Sequence, residues 1–406
     1  MSNTKLKENI YWIGYIDWDV RNFHGYSTEK GSTYNSYIIK DKKIAIIDSV
    51  KAPYADDLVK NILKHTSLDK VDYIICNHAE PDHSGSIPVL MDICLNAELV
   101  CNIKCQKALS MHYNTDNWNF KIIDESSDLS LGKRTLKFIN TPMAHWPESM
   151  MTYVPEEKLL FSMDAFGQHY ACSSRFGHEE FLPTVLHEAK KYFANIIMLY
   201  GKQVADTLTK AMNHDIDMIA PSHGIIWTKN IPTIIARYQM WMICAAEPKV
   251  LIFFDSMWKS TALMADAICE GANIDGIEVR KYDLKYTNIT EIATEALDCA
   301  AMAVGSSTLN RNMLPKVAEA LTYLRGLAPK NKAALAFGSY GWAKKGAQHQ
   351  VLDILKAMQC EILLDEPIQS QFVPTEAILR ECRKAGKLLA EKAFTSAVRY
   401  SSYDSK

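Results

Sequence analysis

The sequence predicts an α/β protein with two domains, residues 1–246 and 247–406. The chain of 406 residues exceeds the usual length of one domain, and its 48% apolar content is enough for sizeable cores. The order of predicted strands and helices changes near "CAAEPKV", residues 244–250. Short strands with loops and then helices precede this stretch, and strands alternate with helices after it. Such alternation predicts a parallel sheet covered on both faces.

In the first half, short apolar strands run into polar loops. "YNSYIIK" and "KIAIIDSV" predict two strands joined by a polar turn at residues 41–43, and "ADDLVKNILKHT" has the apolar spacing of a helix. Binding residues commonly lie on loops at the ends of rigid strands, so functional residues are expected at the ends of these strands. Further strands are predicted at "VDYIICNH", "AELVCN", "TLKFINTP", "MMTYVP", "KLLFSMDA" and "IDMIAPSHG".

The second half predicts five strands and five helices in alternation. This pattern indicates a doubly wound parallel five-stranded sheet, in which a ligand binds beyond the carboxyl ends of the strands. The strands are "KVLIFFDS", "IEVRKYDL", "AMAVGSS", "AALAFGSYG" and "EILLDEPI"; the helices are "TALMADAICEGA", "EIATEALD", "LPKVAEALTYLRGLA", "HQVLDILKAM" and "AILRECRKAGKLLAEKAF".

Charge, hydropathy and cysteine usage exclude several classes of protein. The net charge of −2 gives no basic excess, so we expect no nucleic-acid partner. No run approaches the roughly 20 apolar residues that span a bilayer, and "MSNTKLKENIYWIG" lacks the apolar core of a secretory signal, so the expected location is the cytoplasm. The ten cysteines are scattered without a C-x-x-C pair, which argues against a disulfide framework or a built-in rubredoxin-like module.

Side chains of metal-ligand type follow four of the predicted strands in the first half. One alone would more often be a structural residue, but seven polar groups at four strand ends are costly to bury unpaired. Seven ligands exceed the four of a tetrahedral zinc ion and suit two metal ions. Four imidazoles and three carboxylates without a thiolate favour iron or manganese. The candidates are His78, Glu80, Asp82, His83, His145, Asp164 and His223. The spacing of two between His78, Glu80 and Asp82 predicts an extended loop that places these three side chains on one side of the chain.

Three loops at strand ends of the second half suit a flat, phosphorylated ligand. Hydroxyls and backbone N–H groups of the first loop can hold a phosphate at a helix N-terminus, although such a loop is often only a helix cap. Tyr340 and Trp342 can flank a ring, or pack locally. The chain has no G-x-G-x-x-G, which counts against FAD or NAD. The candidates are Ser256, Met257, Trp258, Lys259, Ser260, Thr261, Ser307, Thr308, Leu309, Asn310, Ser339, Tyr340, Gly341 and Trp342.

The motif H-x-E-x-D-H at residues 78–83, followed by His145, Asp164 and His223, resembles the metallo-β-lactamase-like domain of A-type flavodiiron proteins. The stretch "WDVRNFHGYSTEKGSTYNSYII" is similar to the N-terminal segment of that family, and the loops of the second half resemble flavodoxin. The resemblance covers nearly the whole chain and implies an αββα sandwich followed by a flavodoxin-like domain. Hydrolytic relatives usually have histidine in place of Glu80 and bind zinc, so Glu80 goes with iron.

The resemblance also implies cofactors, ligands and a reaction. It implies FMN and two non-haem irons, one held by His78, Glu80 and His145, the other by Asp82, His83 and His223, with Asp164 bridging them. The implied reaction is reduction of O2 to water, of NO to N2O, or of both, as detoxification in an anaerobe or microaerophile. The remaining residues expected at the centre are His24 and Tyr26 as catalytic groups on its open face, Trp146 as its wall and His169 as a partner of a ligand. For His24 a purely structural role stays open as the alternative.

Partners follow from the same resemblance. We expect an external electron donor, either a rubredoxin-like protein or a reduced deazaflavin. A small acidic carrier would need a basic docking patch, for which Lys344 and Lys345 are candidates; the alternative is that they are solvated surface lysines. A head-to-tail homodimer, or a dimer of dimers, would bring the FMN of one chain to the di-iron site of the other. Two alternatives remain open from the sequence: a zinc-dependent metallo-β-lactamase-like hydrolase with an accessory flavodoxin domain, and an electron-transfer or sensor protein without turnover.

Overall fold

The structure, a computed structural model, describes residues 4–401 and divides into two compact units. The first unit runs to Tyr192 and includes Tyr200–Gln239; the second contains Phe193–Leu199 and the chain from Met240 onward. The main change from the first unit to the second thus lies between residues 239 and 240, whereas the predicted boundary is at residue 246. Among the described residues, no helix has both the length and the apolar character needed to cross a membrane.

The strands of the first unit belong mostly to two sheets. One sheet has the order β1-β2-β7-β8-β9-β10-β11 and the other the order β12-β13-β14-β15-β16. In chain order the strands are β1 (Lys5–Lys7), β2 (Ile10–Trp12), β3 (Tyr15–Asp17), β4 (Asn22–Phe23), β5 (Tyr26–Ser27), β6 (Ser32–Tyr34), β7 (Tyr37–Lys40), β8 (Ile44–Ile47), β9 (Val71–Ile75), β10 (Glu98–Cys101), β11 (Phe120–Ile122), β12 (Asp128–Ser130), β13 (Thr135–Asn140), β14 (Met150–Val154), β15 (Leu159–Met163) and β16 (Met218–Pro221).

The two sheets face each other across a common core. Phe138 and Phe161 of the second sheet belong to the same buried cluster as Ile39, Ile47 and Ile75 of the first. Successive side chains of a strand point to opposite faces, so the residues that alternate with Phe138 and Phe161 must be covered from outside. The hairpin predicted around residues 41–43 is confirmed, because β7 and β8 pair antiparallel on either side of it.

Helices complete the sandwich. Ile139, Met151 and Leu160, which point away from the shared core, pack against Ala211 of the sixth helix. The predicted αββα sandwich is therefore confirmed. The helices of the first unit are α1 (Ala55–Leu63), α2 (Pro81–Ser84), α3 (Ile87–Ile93), α4 (Ile103–His112), α5 (Leu182–Tyr192) and α6 (Gly201–Ala211). Helix α7 (Ile231–Trp241) begins in the first unit, and its last two residues belong to the second.

The second unit is a doubly wound parallel sheet, as predicted. Its strands are β17 (Lys249–Asp255), β18 (Glu278–Asp283), β19 (Ala301–Ser306), β20 (Thr308–Leu309), β21 (Asn312–Met313), β22 (Ala333–Tyr340), β23 (Glu361–Ile362) and β24 (Ile368–Gln371). The sheet order is β18-β17-β19-β22, followed by β23 and β24, which both pair with β22. The helices are α8 (Ser260–Ala272), α9 (Ile289–Asp298), α10 (Pro315–Leu327), α11 (Ala347–Ala357) and α12 (Glu376–Ser401).

The fifth position of this sheet differs from the prediction of one continuous strand at "EILLDEPI". The position is shared by β23 and β24, which pair with the beginning and the end of β22 respectively. Pro367 stands directly before β24 and cannot donate a backbone hydrogen bond to a ladder, which explains why the strand is interrupted here. The interruption lets β24 reach the end of β22 that carries Tyr340.

Helices α8 and α12 pack so closely that each needs a glycine at the contact. A Cβ atom on Gly386 would lie 2.0 Å from the carbonyl oxygen of Ile268, and one on Gly271 would lie 1.9 Å from that of Arg383. We expect Gly386→Ala to lower the free energy of unfolding of the second unit by about 1–3 kcal/mol, because the helices must separate. Urea or thermal unfolding of the purified protein measures this change.

The matched control for this variant is Gly326→Ala. Gly326 lies inside α10, and a Cβ atom there would meet no atom within 4 Å. Since alanine is the better helix former, Gly326→Ala should leave stability unchanged or raise it slightly. If both variants unfolded alike, close packing of α8 and α12 would not be the reason for the glycine.

Candidate metal centre and flavin pocket

The candidate metal centre of the first unit begins where β9 ends. This strand lies between β8 and β10, parallel to both, and leads directly to His78, which is fully buried. Residues 78–82 were expected to form an extended loop, and this expectation is wrong for part of the motif. Asp82 and His83 lie in the short helix α2, which begins at Pro81. Proline favours the first position of a helix because its φ angle is already helical and its missing N–H is not needed there.

The structure brings all seven predicted side chains together in two adjacent groups. In each group every residue offers a nitrogen or oxygen atom, and these atoms lie within 4.8 Å of one another. The residues come from separate strand ends and from α2, so the folded sandwich, not local sequence, assembles them. The first group is His78, Glu80, His145 and Asp164; the second is Asp82, His83 and His223.

The carboxylate of Asp164 lies between the two groups. Its Oδ2 atom is 3.2 Å from Nε2 of His145 in the first group. Its Oδ1 atom is 3.1 Å from Nε2 of His83 and 3.6 Å from Nε2 of His223 in the second. The two oxygens of one side chain therefore face different groups, which is the geometry of a carboxylate that bridges two cations.

Buried polar atoms without hydrogen-bond partners show that this cluster suits cations. In the described part of the chain such atoms include Oδ1 of Asp82 and Nδ1 of His83. They also include Oδ1 of Asp164 and Nε2 of His83, which lie 3.1 Å apart but are not aligned as a hydrogen bond. Buried polar groups are nearly always bonded, so unpartnered atoms that converge on one place require an explanation. Imidazole nitrogens and carboxylate oxygens without sulfur form a donor set that iron accepts. The residues present therefore fit two iron ions.

The charge states of the cluster agree with this interpretation. Burial raises the pKa of Asp164, but the imidazoles of His83 and His145 outweigh that effect and hold its pKa well below the usual value. Burial lowers the pKa of His78, but hydrogen bonds with Glu148 and Glu80 outweigh it and raise the pKa to about 9. Without cations the imidazoles thus hold protons near the carboxylates, and metal binding would displace those protons.

Two groups outside the cluster orient its imidazoles. Nδ1 of His78 donates to Oε1 of Glu148 at 2.7 Å, and Nδ1 of His223 donates to the backbone oxygen of Thr33 at 2.6 Å. Each bond turns Nε2 of the ring toward the cluster. The sequence prediction missed both partners. The only signal for Glu148 is a carboxylate three residues after His145, and Thr33 acts through its backbone, which leaves no signal.

The carboxylate of Glu148 holds the ring of His78 by accepting its Nδ1–H. We expect Glu148→Gln to weaken metal binding by about tenfold or more, because a neutral amide orients and polarises the imidazole of His78 less well. Competition with a chromogenic chelator measures the affinity. Glu179→Gln, at an exposed position of the same unit, is the control and should match the unchanged protein; equal affinities in both variants would contradict the assigned role.

The predicted catalytic residues occupy different positions at the cluster. Nε2 of His24 is 3.1 Å from Oε1 of Glu80, while 64% of the His24 side chain is exposed. The hydrogen bond with Glu80 is the main reason why the pKa of His24 is raised. Tyr26 is buried, and its hydroxyl is 3.1 Å from Nε2 of His169. Of these two residues, His24 contacts both the cluster and solvent, whereas Tyr26 is shielded from solvent.

The two other residues expected at the centre also lie close to it. The ring of Trp146 stands edge-on to His78 with 5.0 Å between ring centroids, so Trp146 forms a wall. The ring centroid of His169 is 4.8 Å from that of His223, and Nδ1 of His169 is 2.7 Å from Oγ of Ser32. His169 therefore contacts a cluster residue through its ring, while its two ring nitrogens face Ser32 and Tyr26. Burial, with the nearby His223, lowers the pKa of His169 strongly, which keeps it neutral.

A pocket of about 690 Å³ opens beyond the carboxyl ends of β17, β19 and β22 in the second unit. Predicted residues that line it are Met257, Trp258, Ser260, Ser307, Thr308, Asn310, Ser339, Tyr340, Gly341 and Trp342. Predicted residues that do not line it are Ser256, Lys259, Thr261 and Leu309. Lining residues that the prediction missed are Arg311, Ala343, Phe372 and Val373.

Hydroxyl groups behind this pocket join its three loops. Oγ1 of Thr261, in the first turn of α8, is 2.9 Å from Oγ of Ser307 and 3.0 Å from Oγ of Ser339. The hydroxyl of Ser256 is buried and has no partner among the described residues. A helix N-terminus with unpartnered donors suits a phosphate, and the exposed rings of Trp258 and Trp342 suit a flat ring system. The pocket therefore fits FMN.

A sandwich with a cluster for two cations and a doubly wound sheet with a flavin pocket define a flavin-dependent metalloprotein. Residues 32–224 match the family model described as ODP family beta lactamase, and residues 252–386 match that of flavodoxin. A protein of Moorella thermoacetica named nitric oxide reductase is 40% identical over 391 residues, which cover 95% of this chain and 98% of that protein. The chain belongs to the family of flavodiiron proteins.

Further relatives agree with this assignment. The anaerobic nitric oxide reductase flavorubredoxin of Pectobacterium atrosepticum is 37% identical over 95% of this chain and 77% of its own length. The flavodiiron protein from Giardia intestinalis superimposes with a TM-score of 0.96 at 38% identity, covering 98% of both chains. Rubredoxin oxygen:oxidoreductase from Desulfovibrio gigas gives a TM-score of 0.94 at 33% identity, covering 97% of this chain and 99% of that chain.

Proposed function

We propose that this protein is an oxidoreductase that reduces NO to N2O, O2 to water, or both, at a non-haem di-iron centre that receives electrons through FMN. The observation that carries the proposal is the Asp164 carboxylate, whose two oxygens face two groups of ligand-type atoms in a chain that also forms a flavin pocket. A relative from Moorella thermoacetica is named nitric oxide reductase, and one from Desulfovibrio gigas is named for oxygen reduction.

In this proposal residues 1–246 supply the metal chemistry and residues 247–406 the flavin chemistry. When bound, two ferrous ions supply two electrons and reduced FMN supplies two more. Four electrons and four protons convert O2 into two waters, and two electrons and two protons convert two NO into N2O and water. The proposed ligands are His78, Glu80 and His145 for one iron, Asp82, His83 and His223 for the other, and Asp164 for both.

Either reaction consumes protons, and His24 is the proposed route by which they enter. Its side chain contacts solvent and reaches Glu80 of the cluster. We expect His24→Asn to lower the rate of gas consumption by roughly tenfold, less than the full effect of a catalytic acid, because water can occupy the exposed position. Metal and FMN content should not change. His178→Asn, at an exposed site, is the control, and equal rates for the two variants would exclude a role for His24.

Tyr26 has a more indirect role in the same proposal. Its hydroxyl bonds with His169, and His169 bonds with Ser32, so these three residues form a buried chain beside His223. The chain fixes the orientation of the Tyr26 ring. Tyr26 is therefore proposed to shape the open face of the centre rather than to exchange protons with solvent.

We further propose a head-to-tail homodimer, or a dimer of dimers, in which the FMN of one chain serves the iron of the other. The exposed aromatic side chains at the rim of the flavin pocket, Trp258 and Trp342, support an interface there.

The electron donor is a separate rubredoxin-like protein or a reduced deazaflavin, and Lys344 and Lys345 are the proposed docking residues. All ten cysteines are free thiols, which fits the cytoplasm.

Metal analysis and an absorption spectrum of the anaerobically purified protein test the proposed cofactors. The expected result is two iron ions and one FMN per chain. Zinc without flavin would instead support the alternative of a hydrolase with an accessory flavodoxin domain. Loss of specific activity on dilution to the monomer is the expected sign of the dimer, and full turnover by a dilute monomer would contradict it.

A further inference from the structure

One buried side chain joins the carboxyl ends of β19 and β22 although it belongs to neither strand. Gln348 lies in the first turn of α11, and 0% of its surface is exposed. Its amide nitrogen donates to the backbone oxygen of Ser306, the last residue of β19, at 2.8 Å. The same nitrogen donates to the backbone oxygen of Ser339, near the end of β22, also at 2.8 Å.

These two hydrogen bonds lie just beyond the last residues of β19 and β22 that pair with each other. The last paired residues of β19 and β22 are Gly305 and Phe337. Buried carbonyl groups beyond that point still need donors, and Gln348 supplies both of its N–H groups to them. The amide oxygen of Gln348 is held in turn, since it accepts from Nε2 of Gln369 at 3.1 Å and from Oγ1 of Thr308 at 3.4 Å.

The close approach of these strand ends requires a residue without a side chain at position 338. Gly338 has a φ of +151°, and a Cβ atom there would lie 2.0 Å from the backbone oxygen of Ser306 and 3.0 Å from the amide nitrogen of Gln348. No other residue type at position 338 would allow the strand ends to approach so closely. The glycine and the glutamine thus act on the same pair of strand ends.

Both strand ends continue into the pocket. Ser306 is followed by residues 307 and 308, and Ser339 with Tyr340 lies in the pocket itself. The distance between these two walls therefore depends on the bonds of Gln348. The glutamine does not line the pocket, and both of its N–H groups are already used, so it acts only through the residues that it holds.

We propose that Gln348 is a positioning residue for FMN, which holds the pocket walls at residues 307–308 and 339–340 at the separation that the flavin requires. This inference rests on the proposed function, because it assumes that FMN occupies the pocket. It adds to that function a residue outside the pocket that sets flavin affinity and the environment of the bound ring.

The test uses the full-length protein after removal of FMN and its titration with FMN, followed by flavin fluorescence and visible absorption. For Gln348→Met, which keeps the length of the side chain but removes the donors, we expect the Kd for FMN to rise by at least about tenfold. We also expect the absorption bands of the bound flavin to shift. Gln359→Met, at an exposed position just after α11 in the same unit, is the matched control and should behave like the unchanged protein.

A second variant keeps the proposal testable if Gln348→Met does not fold. Gln369→Met removes the donor that orients the amide of Gln348, together with a bond from the same nitrogen to the backbone oxygen of Lys344, but leaves Gln348 in place. We therefore expect a smaller rise of Kd, about twofold to fivefold. A merely structural role would lower the unfolding temperature of the flavin-free protein without moving the absorption bands.

Three outcomes separate the possible results. A higher Kd for FMN together with shifted absorption bands of the bound flavin supports the positioning role. An unchanged Kd and spectrum in folded Gln348→Met, or in Gln369→Met where the first variant does not fold, overturns it even if stability falls. Failure of the unchanged protein to bind FMN overturns the proposed function itself, and with it this inference.

Discussion

Asp164→Asn is expected to leave the protein folded but without a working di-iron centre. The change replaces one carboxylate oxygen by an amide nitrogen, which cannot bind a cation, and removes the negative charge that faces both groups of ligands. We expect fewer than one iron per chain, and gas consumption lower by about 10³-fold, since metal-ion charge stabilisation supplies several kcal/mol. Iron analysis and NO or O2 consumption measure the two effects.

The control for this variant separates charge loss from loss of the centre. Asp217→Asn changes an aspartate at the surface, where 60% of its side chain is exposed, and should keep full iron content and activity. FMN content should stay normal in both variants, because the flavin pocket is formed by the other unit. An Asp164→Asn protein with two irons and normal turnover would show that this carboxylate does not bridge them.

Thr261→Val is expected to weaken FMN binding by about a hundredfold. The hydroxyl of Thr261 is completely buried and bonds with the hydroxyls of Ser307 and Ser339. Valine of nearly the same shape removes both bonds and leaves these two hydroxyls a longer contact with each other, at 3.3 Å. Leaving buried polar groups unsatisfied costs about 1–3 kcal/mol, and 1.4 kcal/mol corresponds to tenfold in affinity. Fluorescence titration of the flavin-free protein with FMN measures the loss.

Turnover should fall with the flavin content of this variant, while its iron content stays at two per chain. Thr395→Val, at an exposed position of α12 in the same unit, is the control. Unaltered FMN affinity in Thr261→Val would mean that the hydroxyl cluster does not support the flavin. Normal turnover by protein that lacks FMN would contradict the electron path through the flavin.

The convergence of the seven residues of the candidate metal centre could be predicted because their signal is topological. Parallel and antiparallel strands of a sandwich deliver their ends to a common edge, so ligand-type residues directly after strands meet there whatever their separation in sequence. The conformation of the motif could not be predicted in the same way. A spacing of two residues from His78 to Asp82 suggested an extended chain, but Pro81 starts the helical turn that presents Asp82 and His83.

The residues that support the two sites were beyond sequence reasoning for a different reason. Thr33 orients His223 through a backbone oxygen, which any residue could offer. Gln348 holds the flavin loops from a neighbouring helix, and Phe372 reaches the pocket because the fifth strand is interrupted at Pro367. Such contacts exist only after distant segments have packed, so no local pattern of residue types predicts them.

The most direct test of the central claim is a single-turnover experiment on the anaerobic, fully reduced protein. The protein with two ferrous ions and reduced FMN is mixed with NO or with O2 at equal concentrations, and gas consumption is followed together with flavin oxidation. The account predicts rapid consumption of at least one gas, with the electrons lost from iron and flavin matching two per N2O formed or four per O2 reduced to water. A protein that holds both cofactors fully reduced and consumes neither gas would contradict it.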